Sequence, residues 1–199
     1  MDVGILGGTF DPIHLGHLKI ADEARLRLGL DQVIFVPAGQ PWLKVDRAIT
    51  LPAHRTEMVR RAIVVYPYFE ISTIEVDRPG PSYAVDTLAI LQKQLGIEAK
   101  LFFLLGWDSL SEIPRWREPS KLIQMCQLVV VPRPGFEQTL LDTLELSISG
   151  IAKNVILLDM PYIDISSTDI RGRVAQGLSI KHLVSEAVES YIEEYKLYR

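Results

Sequence analysis

The sequence predicts an α/β fold, a doubly wound open parallel sheet with a C-terminal helical segment, and three observations carry that prediction. Short β-branched or apolar runs alternate with segments of helical period at roughly 30 residues per unit, the spacing of strand-helix-strand crossovers. The runs lack the polar alternation of a strand with one wet face, which is how parallel strands covered on both sides read. Finally, 199 residues of which 48% are hydrophobic and 23% charged suffice for a sizeable core and fit one domain spanning 1–199.

The first predicted strand, Val3–Leu6, ends at Gly7-Gly8, and a helix follows over His17–Leu28. Val33–Val36 is the second, closed by Pro37, and Ala53–Val65 carries the next helical pattern. The loop 37–50 between them, ending in a polar stretch, reads as a lid. A third strand is expected at Phe69–Ile74 and a helix at Tyr83–Leu95, separated by the Pro79–Pro81 loop. Leu101–Leu105 and Leu128–Val131 are further strands, with a helix at Pro119–Met125 between them. Thr139–Ser147 is helical and Val155–Leu158 is the last strand. Leu183, Val184, Ala187, Val188, Tyr191, Ile192 and Tyr195 recur at three and four residues, so an amphipathic helix is expected to close the chain and pack one face on the domain.

Composition excludes several functions. The formal charge of −4 provides no field to draw a polyanion, so nucleic acid is not an expected partner. The longest apolar run is far short of the ~20 residues of a membrane span, and residues 1–20 lack the basic and apolar regions of a signal peptide. The one cysteine, Cys126, cannot form an internal disulfide and lies among apolar residues, which suits a buried side chain and a cytoplasmic location. A homo-oligomer is left open.

Two turns point to chemistry. After the first strand comes Gly7-Gly8-Thr9-Phe10-Asp11-Pro12-Ile13-His14-Leu15-Gly16-His17. Adjacent glycines let a ligand approach the main chain, and the free N–H groups and dipole of the following helix favour an anion. His14 and His17, three apart at that helix start, direct two imidazoles at the same anion. Either histidine alone reads as a cap or a surface residue; the glycine pair and Pro12 beside them favour the anion site. The spacing fits neither the dinucleotide glycine fingerprint nor the phosphate loop ending in Gly-Lys-Ser/Thr. Zinc is set aside, because no glutamate or cysteine stands at a workable spacing.

The second turn, Ile165-Ser166-Ser167-Thr168-Asp169-Ile170-Arg171, offers hydroxyls at a helix start and a guanidinium one turn on. Alone it reads as a capped helix with a surface arginine. Because a parallel sheet gathers the loops after its strands along one edge, both turns are expected to face one crevice, enough for a triphosphate.

The pairing of Gly8–His17 with Ile165–Arg171 resembles the nucleotidyltransferase superfamily with the His-x-Gly-His signature, here His14-Leu15-Gly16-His17, and so implies its Rossmann-like fold. The stretches Val36–Lys44, His54-Arg55-Thr56-Glu57-Met58, Arg78–Leu88, Leu105-Gly106-Trp107-Asp108-Ser109 and Pro114-Arg115-Trp116 narrow the likeness to the bacterial nicotinate-nucleotide adenylyltransferase family, over residues 3 to 195. That resemblance implies transfer of AMP from ATP to nicotinate mononucleotide, giving deamido-NAD and pyrophosphate, with Mg2+ carried on the ATP phosphates and no metal site of the protein's own. Carried over by position, His14 and His17 contact the ATP phosphates, Gly8, Thr9 and Phe10 give main-chain contacts, and Ser167, Thr168 and Arg171 hold the β- and γ-phosphates. Gly106 and Asp108 are similar to adenosine-side contacts, and Lys44 resembles the lysine near the reacting phosphates. Trp116 resembles the tryptophan that stacks on the pyridine ring, and Tyr83, Ala84 and Thr87 line the mononucleotide pocket.

Three positions depart from the family pattern. Pro41-Trp42-Leu43-Lys44 stands for Pro-Pro-His-Lys, Ala84 for a threonine, and Trp107 for a small residue. They bear on acid over amide pyridine. Transfer to nicotinamide mononucleotide or phosphopantetheine, and a non-catalytic adenine-nucleotide sensor, are the alternatives.

Overall fold

The computed structural model describes residues 1–42, 48–132, 139–161 and 163–199. Strands β1 (Asp2–Gly8), β2 (Gln32–Pro37), β3 (Phe69–Ile71), β4 (Lys100–Gly106), β5 (Gln127–Val131) and β6 (Val155–Leu157) form one sheet in the order β3-β2-β1-β4-β5-β6. Every neighbouring pair is parallel. The order reverses between β1 and β4, the switch point at which such sheets bind ligands beyond the strand carboxyl ends. There the ladder stops early. β1 and β4 pair only as far as Leu6 with Leu104, whereas β1 stays with β2 to Gly8 and β4 with β5 to Gly106. The pairing of the two central strands therefore ends two residues short of Gly8 and Gly106, at the switch point where sheets of this kind form their ligand crevice.

Side-chain alternation covers both faces with apolar residues. Leu6, Val33, Phe35, Leu104 and Val129 pack against α1 (Leu15–Leu28), α2 (Pro52–Ile63) and the helices that close the chain. Ile5, Ile34, Val36, Phe103, Leu105 and Val130 face the other way. There they meet the short α3 (Ile74–Asp77), α4 (Ala84–Leu95), α5 (Trp107–Ser111), α6 (Pro119–Met125), α7 (Thr139–Ser147) and α8 (Ile151–Asn154). α9 (Ser167–Ala175) and α10 (Glu186–Glu194) return to the first face, where Ile170, Val188, Tyr191 and Ile192 are buried. Cys126 is buried in the second core, and burial pushes its thiol up to about 12.

The expected elements are present with shifted ends. α1 starts two residues earlier than the periodicity suggests, because His14 is its N-cap. α2 begins at Pro52, a proline at the first helical position where no N–H is missed. The third strand is cut short. Ser72 N–H still donates to Phe35 C=O, but the Thr73 carbonyl then accepts from Val76 and Asp77, and the chain turns into α3 where a strand to Ile74 is expected. An edge strand has no outer neighbour to keep it extended. The closing helix is also shorter than its apolar pattern, since Leu183 and Val184 precede it in a turn. No helix of the described residues is long and apolar enough to cross a membrane.

Candidate active site

The turn after β1 is held by packing around a left-handed residue. Phe10 has φ +50 and is buried, its ring edge-on to His17 at 5.0 Å and tilted against Phe35 at 6.0 Å. A Cβ on Gly8 would stand 3.0 Å from that ring, so a side chain there would press on the buried Phe10. At the start of α1, His14 N–H donates to His17 Nδ1 at 3.3 Å, the reach-back of a capping box made by an imidazole where glutamate is usual. The two rings stack with centroids 3.7 Å apart and planes 25° from parallel. Gly16 makes room for this, since a Cβ there would lie 3.0 Å from His14 Nδ1 and 3.3 Å from Ile163.

His14 is 8% exposed, and burial lowers its pKa to about 4, so the ring is neutral at pH 7. Its Nδ1 is buried without a hydrogen-bond partner among the described residues. Buried polar atoms are as a rule hydrogen-bonded, so this nitrogen is one that a ligand or water could engage.

The second turn meets the first directly. Ser166 caps α9 by accepting from Asp169 N–H at 3.0 Å. Ser167 Oγ then donates to Pro12 C=O at 2.9 Å, and Arg171 Nη1 to Asp11 C=O at 2.7 Å, contacts between segments 155 and 160 residues apart. The other arm of Arg171 donates to Thr168 Oγ1 at 3.2 Å. Thr9, Phe10, His14, His17, Ser167, Thr168 and Arg171 thus form one continuous lip. Gly106 closes the opposite side of the crevice as N-cap of α5, with Asp108 exposed in its first turn.

The remaining predicted residues lie in the loop after β2, at the start of α4 and, for Trp116, between α5 and α6. The Tyr83 ring sits 5.8 Å from Trp42, with the Arg117 guanidinium 5.0 Å over its face. Ala84 opens α4. Trp116 stands edge-on to Phe103 at 6.0 Å, and its Nε1–H is buried without a partner among the described residues. Lys44, and with it the middle of the expected lid, lies outside the described residues. Thr87, in the first turn of α4, faces inward. It is 1% exposed, and its hydroxyl faces the buried Glu75 carboxylate and the Tyr83 carbonyl.

Relatives of this chain have the same extent. A protein of Dehalococcoides mccartyi named probable nicotinate-nucleotide adenylyltransferase is 47% identical over 198 residues, covering 100% of this chain and 97% of the relative. One of Roseiflexus sp. with the same name is 48% identical over 197 residues, 99% and 98% of the two chains. The chain belongs to the nicotinate-nucleotide adenylyltransferase family. It also matches the broader cytidylyltransferase-like family over residues 5–173. Among solved structures, Plasmodium falciparum nicotinic acid mononucleotide adenylyltransferase complexed with NaAD superposes with a TM-score of 0.80 at 22% identity, covering 99% and 97% of the two chains. At that identity the likeness establishes the adenylyltransferase fold.

Within this family member, three residues shape the site without any role read from the sequence. Arg55 on α2, 1% exposed, donates to the carbonyls of Thr50, Thr9 and Ala38 at 2.7–2.8 Å. Tyr198 returns from the end of the chain, and its hydroxyl donates to Asp11 Oδ1 at 2.8 Å. Glu75, its pKa raised by burial, takes hydrogen bonds from Thr87 and Ser82. Ser82 Oγ in turn accepts from Gly39 and Gln40 N–H. Arg55 was in view as part of His54–Met58, but nothing in a helical pattern distinguishes an inward arginine from the outward Arg60 and Arg61.

Proposed function

We propose that the protein transfers the AMP moiety of ATP to nicotinate mononucleotide, forming deamido-NAD and releasing pyrophosphate. One observation carries this reading: the imidazole turn and the hydroxyl turn are bonded to each other through Ser167 and Arg171 at the mouth of the switch-point crevice. That arrangement suits a polyphosphate, whose charge helix N–H groups, imidazoles and a guanidinium together can meet.

The acceptor's phosphate is already an anion at neutral pH and needs no general base. Its oxygen attacks the α-phosphorus of ATP, a P–O–P bond forms, and the bond from the α-phosphorus to the bridging oxygen breaks as pyrophosphate leaves with the electron pair. Positioning and charge stabilisation are then the protein's task. We assign His14, His17 and Arg171 to the charge developing on pyrophosphate, with Lys44 near the reacting phosphates. Gly8, Thr9 and Phe10 supply the main-chain contacts. Ser167 and Thr168 hold the β- and γ-phosphates, and Gly106 and Asp108 the adenosine side. Tyr83, Ala84 and Trp116 line the mononucleotide side, with the unpartnered indole N–H of Trp116 available to a ligand acceptor.

Mg2+ enters with ATP as part of the substrate, on the phosphate oxygens. Among the described residues no group of three His, Cys, Asp or Glu side chains is placed to hold a metal, and an ion that keeps its waters and rides on phosphates asks for none. The cytoplasm, where ATP is abundant and a lone thiol stays reduced, is the compartment we assign.

Pyrophosphate release from MgATP, measured separately with nicotinate mononucleotide, nicotinamide mononucleotide and phosphopantetheine, tests the proposal. Fast release with the first alone is expected. Release that is equal or greater with either of the others overturns the acceptor, and none with any of the three overturns the reaction.

A further inference from the structure

Among the described residues, the buried guanidinium of Arg55 has no carboxylate partner in hydrogen-bond contact. Instead its donors reach main-chain carbonyls from three separate segments: Thr9 in the turn after β1 at 2.7 Å, Ala38 in the loop after β2 at 2.7 Å, and Thr50 ahead of α2 at 2.8 Å, with Gly39 at 3.5 Å. Burying such a charge is unfavourable unless its donors are satisfied, and burial does lower its pKa, with the neighbouring Asp11 carboxylate opposing.

What the carbonyls do on Arg55 fixes what the next amides do elsewhere. In a trans peptide the C=O and N–H point to opposite sides, and Thr9–Phe10 is trans, the one cis bond among the described residues being Asp11–Pro12. With Thr9 C=O drawn inward to Arg55, the Phe10 N–H is turned away from the interior. Asp11 C=O, on the other side of Phe10, is drawn to Arg171. Two arginines thus grip the main chain on either side of a residue held at φ +50, a conformation non-glycine residues adopt only when their surroundings impose it.

We propose that Arg55 is a positioning residue for the polyphosphate: by holding the Thr9 carbonyl inward it presents the Phe10 N–H to the phosphates, and its buried positive charge stands behind the same turn. Arg55 touches no substrate. This rests on the ATP-dependent reading given above, and the test separates the two.

Arg55→Lys keeps the charge, but one ammonium cannot serve carbonyls lying in three directions as a planar fork does. Its turnover is expected to fall roughly 10²-fold and its affinity for ATP about tenfold, while affinity for adenosine, which has no phosphate, changes less than twofold. Direct evidence comes from the Phe10 amide resonance, which should move downfield when pyrophosphate is added to the wild type and stay in place in Arg55→Lys. Arg55→Gln, which removes the charge, should behave alike and serves if the lysine variant does not fold. Unchanged turnover and ATP affinity per folded molecule would overturn the proposal. So would an equal loss for ATP and adenosine, or a wild-type Phe10 amide that ignores pyrophosphate. If the wild type shifts Phe10 with pyrophosphate yet forms no product with any acceptor, the adenylyl-transfer reading fails and the positioning role stands.

Discussion

His14 combines burial, stacking on His17 and an unpartnered ring nitrogen in a single side chain. Its pKa of about 4 in the fold, against 6.5 in an unfolded chain, fixes a sign. As pH falls through 6.5 the unfolded chain takes up a proton that the fold refuses until near pH 4, so stability is lost across that window, by up to ~3 kcal/mol from this group. Urea unfolding of wild type and His14→Asn at pH 7 and pH 4 should therefore show the wild type losing more stability than the variant; parallel losses would refute the shift. For His17, one preorganised donor in the proposed site, substitution by alanine is expected to lower turnover by roughly 10²–10³-fold with little change in fold stability, as followed by pyrophosphate release. An unaltered rate would remove His17 from the reaction. These two residues were legible because glycines, a proline and two imidazoles at a helix start form a dense local pattern. The surroundings of Thr87 were not legible, because its hydroxyl bonds the Glu75 carboxylate, which only the packing of the folded chain brings to it.

At the level of elements, the site depends on how loops are clamped to helices. The N-cap of α9 is Ser166, and alanine there should cost about 1 kcal/mol, seen as a lower denaturation midpoint with an unchanged slope. The loop after β2 packs more tightly still, against α3. A Cβ at Gly39 would run into the Glu75 carbonyl oxygen, a backbone atom that cannot swing aside. Gly39→Ala is accordingly expected to destabilise by roughly 3 kcal/mol, and a variant within 0.5 kcal/mol of wild type (about the scatter of neutral surface changes) would contradict that packing. α4, with twelve residues of clear periodicity, and the shorter α6 were legible almost to the residue. α3, α5 and α8 were not, because four or five residues are too short for a helical period to appear.

Across the whole molecule, a ligand that bridges the two turns also bridges the two ends of the chain, and should stabilise the fold globally. ATP at a hundred times its dissociation constant is expected to add about 2.7 kcal/mol, or roughly 5–10 °C in melting temperature, and Ser167→Ala to diminish that shift. The same shift in the variant would show that the inter-turn bond from Ser167 to Pro12 does not serve binding. The amino-acid sequence by itself determined the class of architecture, since unbroken apolar runs between helical segments leave few alternatives to a covered parallel sheet, and it marked both candidate turns of the proposed site through their local composition. Tertiary structure alone decided the strand order that sets Gly8 and Gly106 across a crevice, the meeting of Ser167 with Pro12 over 155 residues, and the turning inward of Arg55. Those three depend on which surfaces pack together, a property of the folded chain that no local pattern of residue types encodes.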